Sequence, residues 1–183
     1  MTPGAPTIHT VGHSTRSLDE LVALLRAHGV TAVADVRTVP RSRRHPHFCA
    51  DSLAIALPEH GIEYLSLRSL GGLRRPRPDS INGAWRNDSF RGYADFMQTD
   101  AFIEALEELT SIAREKPTAT MCAEAVPWRC HRSLISDALV VRGWRVLDIM
   151  SQTKAAAHSL TKFALVDGTT VTYPPEQPDL LPV

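Results

Sequence analysis

The stretch TIHTVGHSTRSLDELVALLRAHGVTAVADV, residues 7–36, decides the fold. Its opening, Thr7–Val11, is a short β-prone run followed by a Gly12-His13-Ser14 turn. Ser17 and Glu20 then stand in the S-x-x-E order of a capping box, which predicts a helix start. Leu18, Leu21, Val22 and Leu25 follow at helical spacing and give one apolar face. His28-Gly29 ends that helix, because glycine tolerates the left-handed conformation of a helix terminus. Thr31–Val36 reads as a second apolar strand. Strand, helix and strand in this order make a βαβ unit, so the two strands should be parallel.

Outward from this unit the pattern repeats. A helix is expected over Ala50–Leu57, stopping before Pro58, and a third strand over Ile62–Leu65. Phe90–Met97 and Ala101–Ala113 read as two helices or one broken helix. Thr118–Cys122 is a fourth strand, Cys130–Arg142 a helix closed by Gly143, and Arg145–Ile149 a fifth strand. Phe163–Val166 and Val171–Tyr173 flank Asp167-Gly168, the signal of a hairpin. The proline-rich tail from Pro174 is expected to be loose. The expected fold is a single α/β domain over residues 1–183, with its core at about 7–150 and the hairpin and tail at 160–183. Its sheet should be five-stranded and mostly parallel, flanked by helices in a Rossmann-like three-layer order.

Composition agrees with this class. The chain has 183 residues, 43% hydrophobic and 22% charged, an ordinary soluble balance. No apolar run approaches the ~18 residues of a membrane span, and Met1–Pro6 has no basic-then-apolar signal segment. No membrane association is therefore expected. Three cysteines, an odd number, read as reduced thiols in a cytoplasm.

The formal net charge is zero, but it is unevenly distributed. Residues 37–91 hold ten Arg, no Lys and five acids, a net of +5. A local arginine-rich segment in a neutral chain points to a focused anionic partner. Arg41, Arg43 and Arg44 lie in one loop and Arg74, Arg75 and Arg77 in a second. Arginine gives bidentate recognition of phosphate that lysine does not. Trp85, Phe90 and Tyr93 follow the second loop, either to stack on a base or to pack in the core, the latter favoured for Phe90 and Tyr93.

Ligands of open parallel sheets bind beyond the carboxyl ends of the strands. That rule gathers Gly12, His13 and Ser14, then Asp35, Arg37, Ser42 and Arg43, then Arg68, Gly71 and Gly72, then Cys122, Glu124 and Arg129, leading into Cys130, His131 and Arg132. Cys122 beside arginines and a helix start is a candidate nucleophile. His13 is a candidate nucleophile or base, and Glu124 and Asp35 are candidate proton carriers or orienting groups. Arg37, Arg43 and Arg132 would hold the anion. Ser14, Ser42, Gly71, Gly72, Cys130 and His131 complete the expected binding surface. Cys122 to Arg129 is one residue longer than the Cys-x5-Arg loop of tyrosine phosphatases and lacks its glycines. Cys122, Glu124, Cys130 and His131 are also metal-ligand types. Their spacing is not that of a zinc finger or ribbon, so no metal and no cofactor are expected.

The order Thr-Val-Gly-His-Ser (10–14), Asp-Val-Arg (35–37), Pro-x-Ser (40–42), Leu-Gly-Gly (70–72), Tyr-Ala-x-Phe-Met (93–97) and Cys-Ala-Glu-x5-Cys-His-Arg (122–132) resembles the domain of unknown function 488 family. The resemblance spans roughly Ile8 to Ile149, with Val11 where the family commonly has Ile. It implies a small bacterial or archaeal cytoplasmic α/β protein and names no reaction. The expectation is then an enzyme, a hydrolase or transferase, acting on a nucleotide or nucleic acid. The rivals are a non-catalytic nucleic-acid-binding module and a Cys/His metal-binding or redox-sensing protein. A homodimer through a sheet edge or the hairpin is a further expectation.

Overall fold

The capping box forms as its spacing requires. Ser17 Oγ accepts from the Glu20 N–H at 3.1 Å, and Glu20 Oε2 accepts from the Ser17 N–H at 2.7 Å. The computed structural model describes residues 4–176. The expected tail falls partly outside that range, at residues 177–183. Strand β1 (Thr7–Gly12) leads through α1 (Leu18–Ala27) to β2 (Ala32–Asp35). Then come α2 (Ala50–Glu59) and β3 (Glu63–Ser66), followed by α3 (Asp88–Phe96) and α4 (Asp100–Glu115). Next are β4 (Thr118–Cys122), α5 (Arg132–Val140) and β5 (Arg145–Ser151). Strand β6 (Lys154–Ala157) and the hairpin of β7 (Leu165–Asp167) and β8 (Thr170–Thr172) complete the order.

The main sheet has six strands in the order β3-β2-β4-β1-β5-β6. β1 to β5 pair in parallel, and β6 pairs antiparallel with β5 past an irregularity at Ile149/Ser151. The sixth strand is the correction to the five expected. Its sequence, Lys-Ala-Ala-Ala, carries no β-branched or aromatic residue, so propensity alone would not find it. Two helix limits also move. α2 continues through Pro58 to Glu59, since a proline in the last turn forgoes one hydrogen bond and its own carbonyl still accepts from the Gly61 N–H at 2.9 Å. α5 begins at Arg132, so Cys130 and His131 precede it.

Alternation along the strands divides the core in two. Ile8, Ala34 and Cys122 face α3, α4 and α5, where Tyr93, Phe102, Leu106, Leu134 and Leu139 are buried. Val11, Val33 and Met121 face α1 and α2, where Leu21, Leu25, Leu53 and Leu57 are buried. The result is three layers. β1 and β4 are neighbours, yet α1 leaves β1 on one face and α5 leaves β4 toward the other. Their carboxyl ends, Gly12 paired with Cys122, therefore flank the crevice where such sheets bind ligands. No helix among the described residues is long and apolar enough to cross a membrane.

Candidate functional site

Gly12 lets the segment after β4 cross the end of β1. A Cβ there would stand 1.8 Å from the Glu124 carbonyl oxygen, a backbone atom that cannot yield. The His13 and Ser14 N–H groups donate to the Cys122 and Ala123 carbonyls at 2.9 Å, and Ser14 takes a positive φ of 50° to do so. The chain then passes a 3-10 turn at Pro127–Arg129 and reaches Cys130 and His131 at the threshold of α5.

This path brings Cys122, Cys130 and His131 together. The two sulfurs and a ring nitrogen of His131 all lie within 4.8 Å of one another. His131 Nε2–H donates to the Val36 carbonyl at 2.9 Å, which leaves Nδ1 facing the Cys130 sulfur at 3.5 Å. The Cys122 thiol hydrogen bond draws the Cys130 pKa down. Burial opposes this and the Arg132 charge assists it, leaving the pKa at about 6. Cys122 is pushed up to about 12 by the same hydrogen bond and by burial. The shared hydrogen bond thus drives the two thiols apart, Cys130 toward the thiolate and Cys122 toward the neutral thiol.

Arg132 supports this pair from below. It is 1% exposed. Nη1 donates to Thr10 Oγ1 at 2.5 Å and Nη2 to the Glu124 carbonyl at 2.6 Å. Nε is buried without a partner. It joins no ion pair among the described residues, so it supplies fixed positive charge beside Cys130. Its burial removes it from direct contact with a diffusing anion.

Asp35, Arg37 and His13 form a second buried group. Arg37 Nε donates to Asp35 Oδ1 at 2.8 Å and Nη2 to Oδ2 at 2.5 Å. Nη2 also reaches the Phe48 carbonyl at 2.8 Å. Tyr64 donates to Asp35 Oδ2 at 2.7 Å. Asp35 is thus saturated with donors and holds Arg37. His13 Nδ1–H donates to the Ser14 carbonyl at 2.9 Å, and Nε2 accepts from Arg37 Nη1 at 3.1 Å. Burial, with the Arg37 charge, lowers His13 to about 4 against the opposing hydrogen bond to Ser14. A neutral imidazole whose free lone pair is engaged is a poor general base near neutrality. In this geometry Asp35 and His13 together fix the Arg37 guanidinium.

Two open cavities meet here. One, of about 440 Å³, is bordered by Cys122, Cys130, His131 and Gly72. The other, of about 470 Å³, is bordered by His13, Ser14, Arg41 and Ser42. Arg37, Glu124 and Arg129 stand in the wall common to both. Arg43 lies apart, in a third hollow with Arg68 and Asp51. Ser42 Oγ accepts from the His45 N–H at 2.9 Å and shapes its own loop. The glycines are packing residues: a Cβ at Gly71 would meet Thr38 Oγ1 at 2.4 Å, and one at Gly72 would meet His131 Nδ1 at 2.4 Å.

The arginines of the second loop divide, with Arg74 packed inward and Arg75 and Arg77 exposed. Arg74 donates to the Gly71 and Ser69 carbonyls and lies 3.7 Å over the Phe96 ring. Arg77 pairs with Asp79. Trp85 stacks on Phe90 with centroids 4.7 Å apart, and Tyr93 is fully buried, so all three aromatics pack internally. Arg129, which the strand-end rule gathered, borders both cavities, and Arg41, which it left out, borders the second.

The architecture is therefore that of an α/β protein with a thiol–imidazole–guanidinium cluster at the carboxyl edge of a parallel sheet. The family described as Domain of unknown function DUF488 matches residues 17–139, and the chain belongs to that family. The matched span contains the Asp-Val-Arg and Cys-Ala-Glu segments, whereas Gly12, His13 and Ser14 lie before it. No curated protein and no solved structure matches the chain.

Proposed function

We propose that this protein is an enzyme, a hydrolase or transferase of the cytoplasm, that acts on a phosphate-bearing substrate at the carboxyl edge of its sheet. One observation carries the reading. Arg37 and Arg129 stand with Glu124 in the wall shared by two cavities, one of which is lined by Cys122, Cys130 and His131. Cavities of about 440 and 470 Å³ suit a nucleotide-sized ligand. Zero net charge argues against a broad basic face for coating nucleic acid. Arg129 and Arg41, both exposed, would contact phosphate, and Arg37 would set the charge of the wall behind it. Glu124, exposed and in no ion pair among the described residues, is the proton carrier. The Cys122, Cys130 and His131 group supplies the remaining chemistry.

Thermal-shift and calorimetric titration with nucleoside mono-, di- and triphosphates test this. Arg129→Ala should weaken binding about tenfold or more, the value of one charge-assisted contact, with unchanged melting temperature. Glu124→Gln should bind normally and turn over slowly. No response to any nucleotide, together with a silent Arg129→Ala, overturns the reading. The exposed Arg41, Arg43 and Arg44 favour a second reading, binding of a nucleic-acid strand. Its mark would be strongly salt-dependent oligonucleotide binding that survives Glu124→Gln.

A further inference from the structure

We propose that Cys122 Sγ, Cys130 Sγ and His131 Nδ1 form a site for a divalent cation of the zinc type, with a fourth position open to the adjoining cavity. The site was not legible in the spacing, because its ligands are set by the fold. Cys122 ends β4, and Cys130 and His131 arrive only after the Pro127–Arg129 turn doubles the chain back.

Distances carry the first part of the argument. Tetrahedral zinc with Zn–S of about 2.3 Å and Zn–N of about 2.0 Å separates its ligand atoms by roughly 3.5–3.8 Å. Here the Cys130 sulfur and His131 Nδ1 are already 3.5 Å apart, and all three donor atoms lie within 4.8 Å. Closure onto an ion needs a contraction of about 1.3 Å at most, within the reach of side-chain torsions.

The orientation of His131 carries the second part. Ligating histidines usually donate their other ring N–H to a carbonyl or carboxylate, which fixes the tautomer and the ring. His131 does this through Nε2 to the Val36 carbonyl at 2.9 Å. Its free nitrogen is therefore the one that faces the sulfurs. Gly72 keeps that nitrogen reachable, since a Cβ there would sit 2.4 Å from Nδ1.

Charge supplies the third part. Two thiolates need compensation in a buried place. Arg132, two residues beyond Cys130 in the chain, is 1% exposed and without a carboxylate partner among the described residues, a buried positive charge. Two thiolates and one imidazole suit zinc better than magnesium or calcium, which prefer oxygen. All three ligands border the cavity that also holds Glu124 and Arg129, so the fourth position is available to water or to a substrate atom. Three protein ligands with one open position is the arrangement of catalytic rather than structural zinc.

The site does not depend on the phosphate reading. Loss of metal binding would leave Arg37 and Arg129 in place, and loss of nucleotide binding would leave the ligands in place. The test uses the full chain, reduced and stripped with a chelator, titrated with Co²⁺ and then with Zn²⁺. One equivalent of Co²⁺ should give thiolate-to-cobalt charge-transfer absorption and the intense visible bands of a tetrahedral ion. One equivalent of Zn²⁺ should abolish both. Cys122→Ser, Cys130→Ser and His131→Gln should each weaken the metal at least tenfold, while Cys49→Ser, at the third cysteine, leaves the spectrum unchanged. X-ray absorption on the zinc-loaded wild type needs no variant, and should show two sulfur neighbours at about 2.3 Å. A folded wild type with no cobalt spectrum, a zinc shell of oxygen and nitrogen only, or a spectrum that persists without both Cys122 and Cys130 overturns the proposal.

Discussion

Replacing His158 with Gln should remove a pH-dependent part of the protein's stability. His158 follows β6 and bridges two carboxylates of different elements. Its Nε2 lies 2.8 Å from Asp137 Oδ1 on α5, and its Nδ1 lies 3.6 Å from Asp148 Oδ2 on β5. Asp137 also accepts from Tyr173 Oη at 2.8 Å and the Thr161 N–H at 3.1 Å. Burial alone would lower the histidine pKa, but the hydrogen bonds to Asp137 and Asp148 outweigh it and raise the pKa from 6.5 to about 9. The folded state therefore holds its proton more tightly than the unfolded chain. That contribution is full below pH 6.5 and is lost as pH rises through about 9. A rise of this size corresponds to at most about 3 kcal/mol, and partial solvent access lowers it to about 2 kcal/mol. Urea unfolding of wild type and His158→Gln at several pH values measures it. Wild type should exceed the variant by about 2 kcal/mol at pH 6, with the gap closing by pH 10. A gap that stays constant from pH 6 to 10 would refute the bridging role and the charge assigned to His158.

Three further outcomes follow from the geometry. Gly72→Ala, whose Cβ would meet His131 Nδ1 at 2.4 Å, should cost about 1–3 kcal/mol in urea unfolding and shift the His131 ring resonances. Gly12→Ala should be worse, because its 1.8 Å encounter is with the Glu124 backbone oxygen; failure to recover folded protein, read by circular dichroism, is the expected result. Arg37→Met strands Asp35 in the core without its cation and should cost about 3–5 kcal/mol, whereas exposed Arg43→Ala should leave the unfolding midpoint unchanged.

The legibility of this molecule differs between its levels. The parallel βαβ core was readable because two local signals agreed: the Ser17–Glu20 box fixed where α1 starts, and apolar periodicity fixed its face. β6 escaped because three alanines pair with β5 through backbone hydrogen bonds that no side chain announces. The strand-end rule gathered residues that the structure brings to one edge, Arg43 and Arg68 excepted, since it depends only on strand direction. It could not assign their roles. Asp35 and Arg132 sit at that edge like Glu124, yet they are 1% exposed and Glu124 is exposed. Burial is a tertiary property, as is the fold-back that sets Cys130 beside Cys122. The zero net charge hid a second tertiary fact. Arg74 and Arg77 are consumed by Phe96, local carbonyls and Asp79, while Arg129, outside the arginine-rich segment, faces the cavities.

A crystal structure of the full chain with a nucleoside monophosphate tests the central claim most directly. The account predicts the phosphate in the wall shared by the two cavities, within hydrogen-bond distance of Arg129 and beside Glu124. An empty wall at saturating ligand, or a phosphate bound only at Arg43 or elsewhere on the surface, would contradict it.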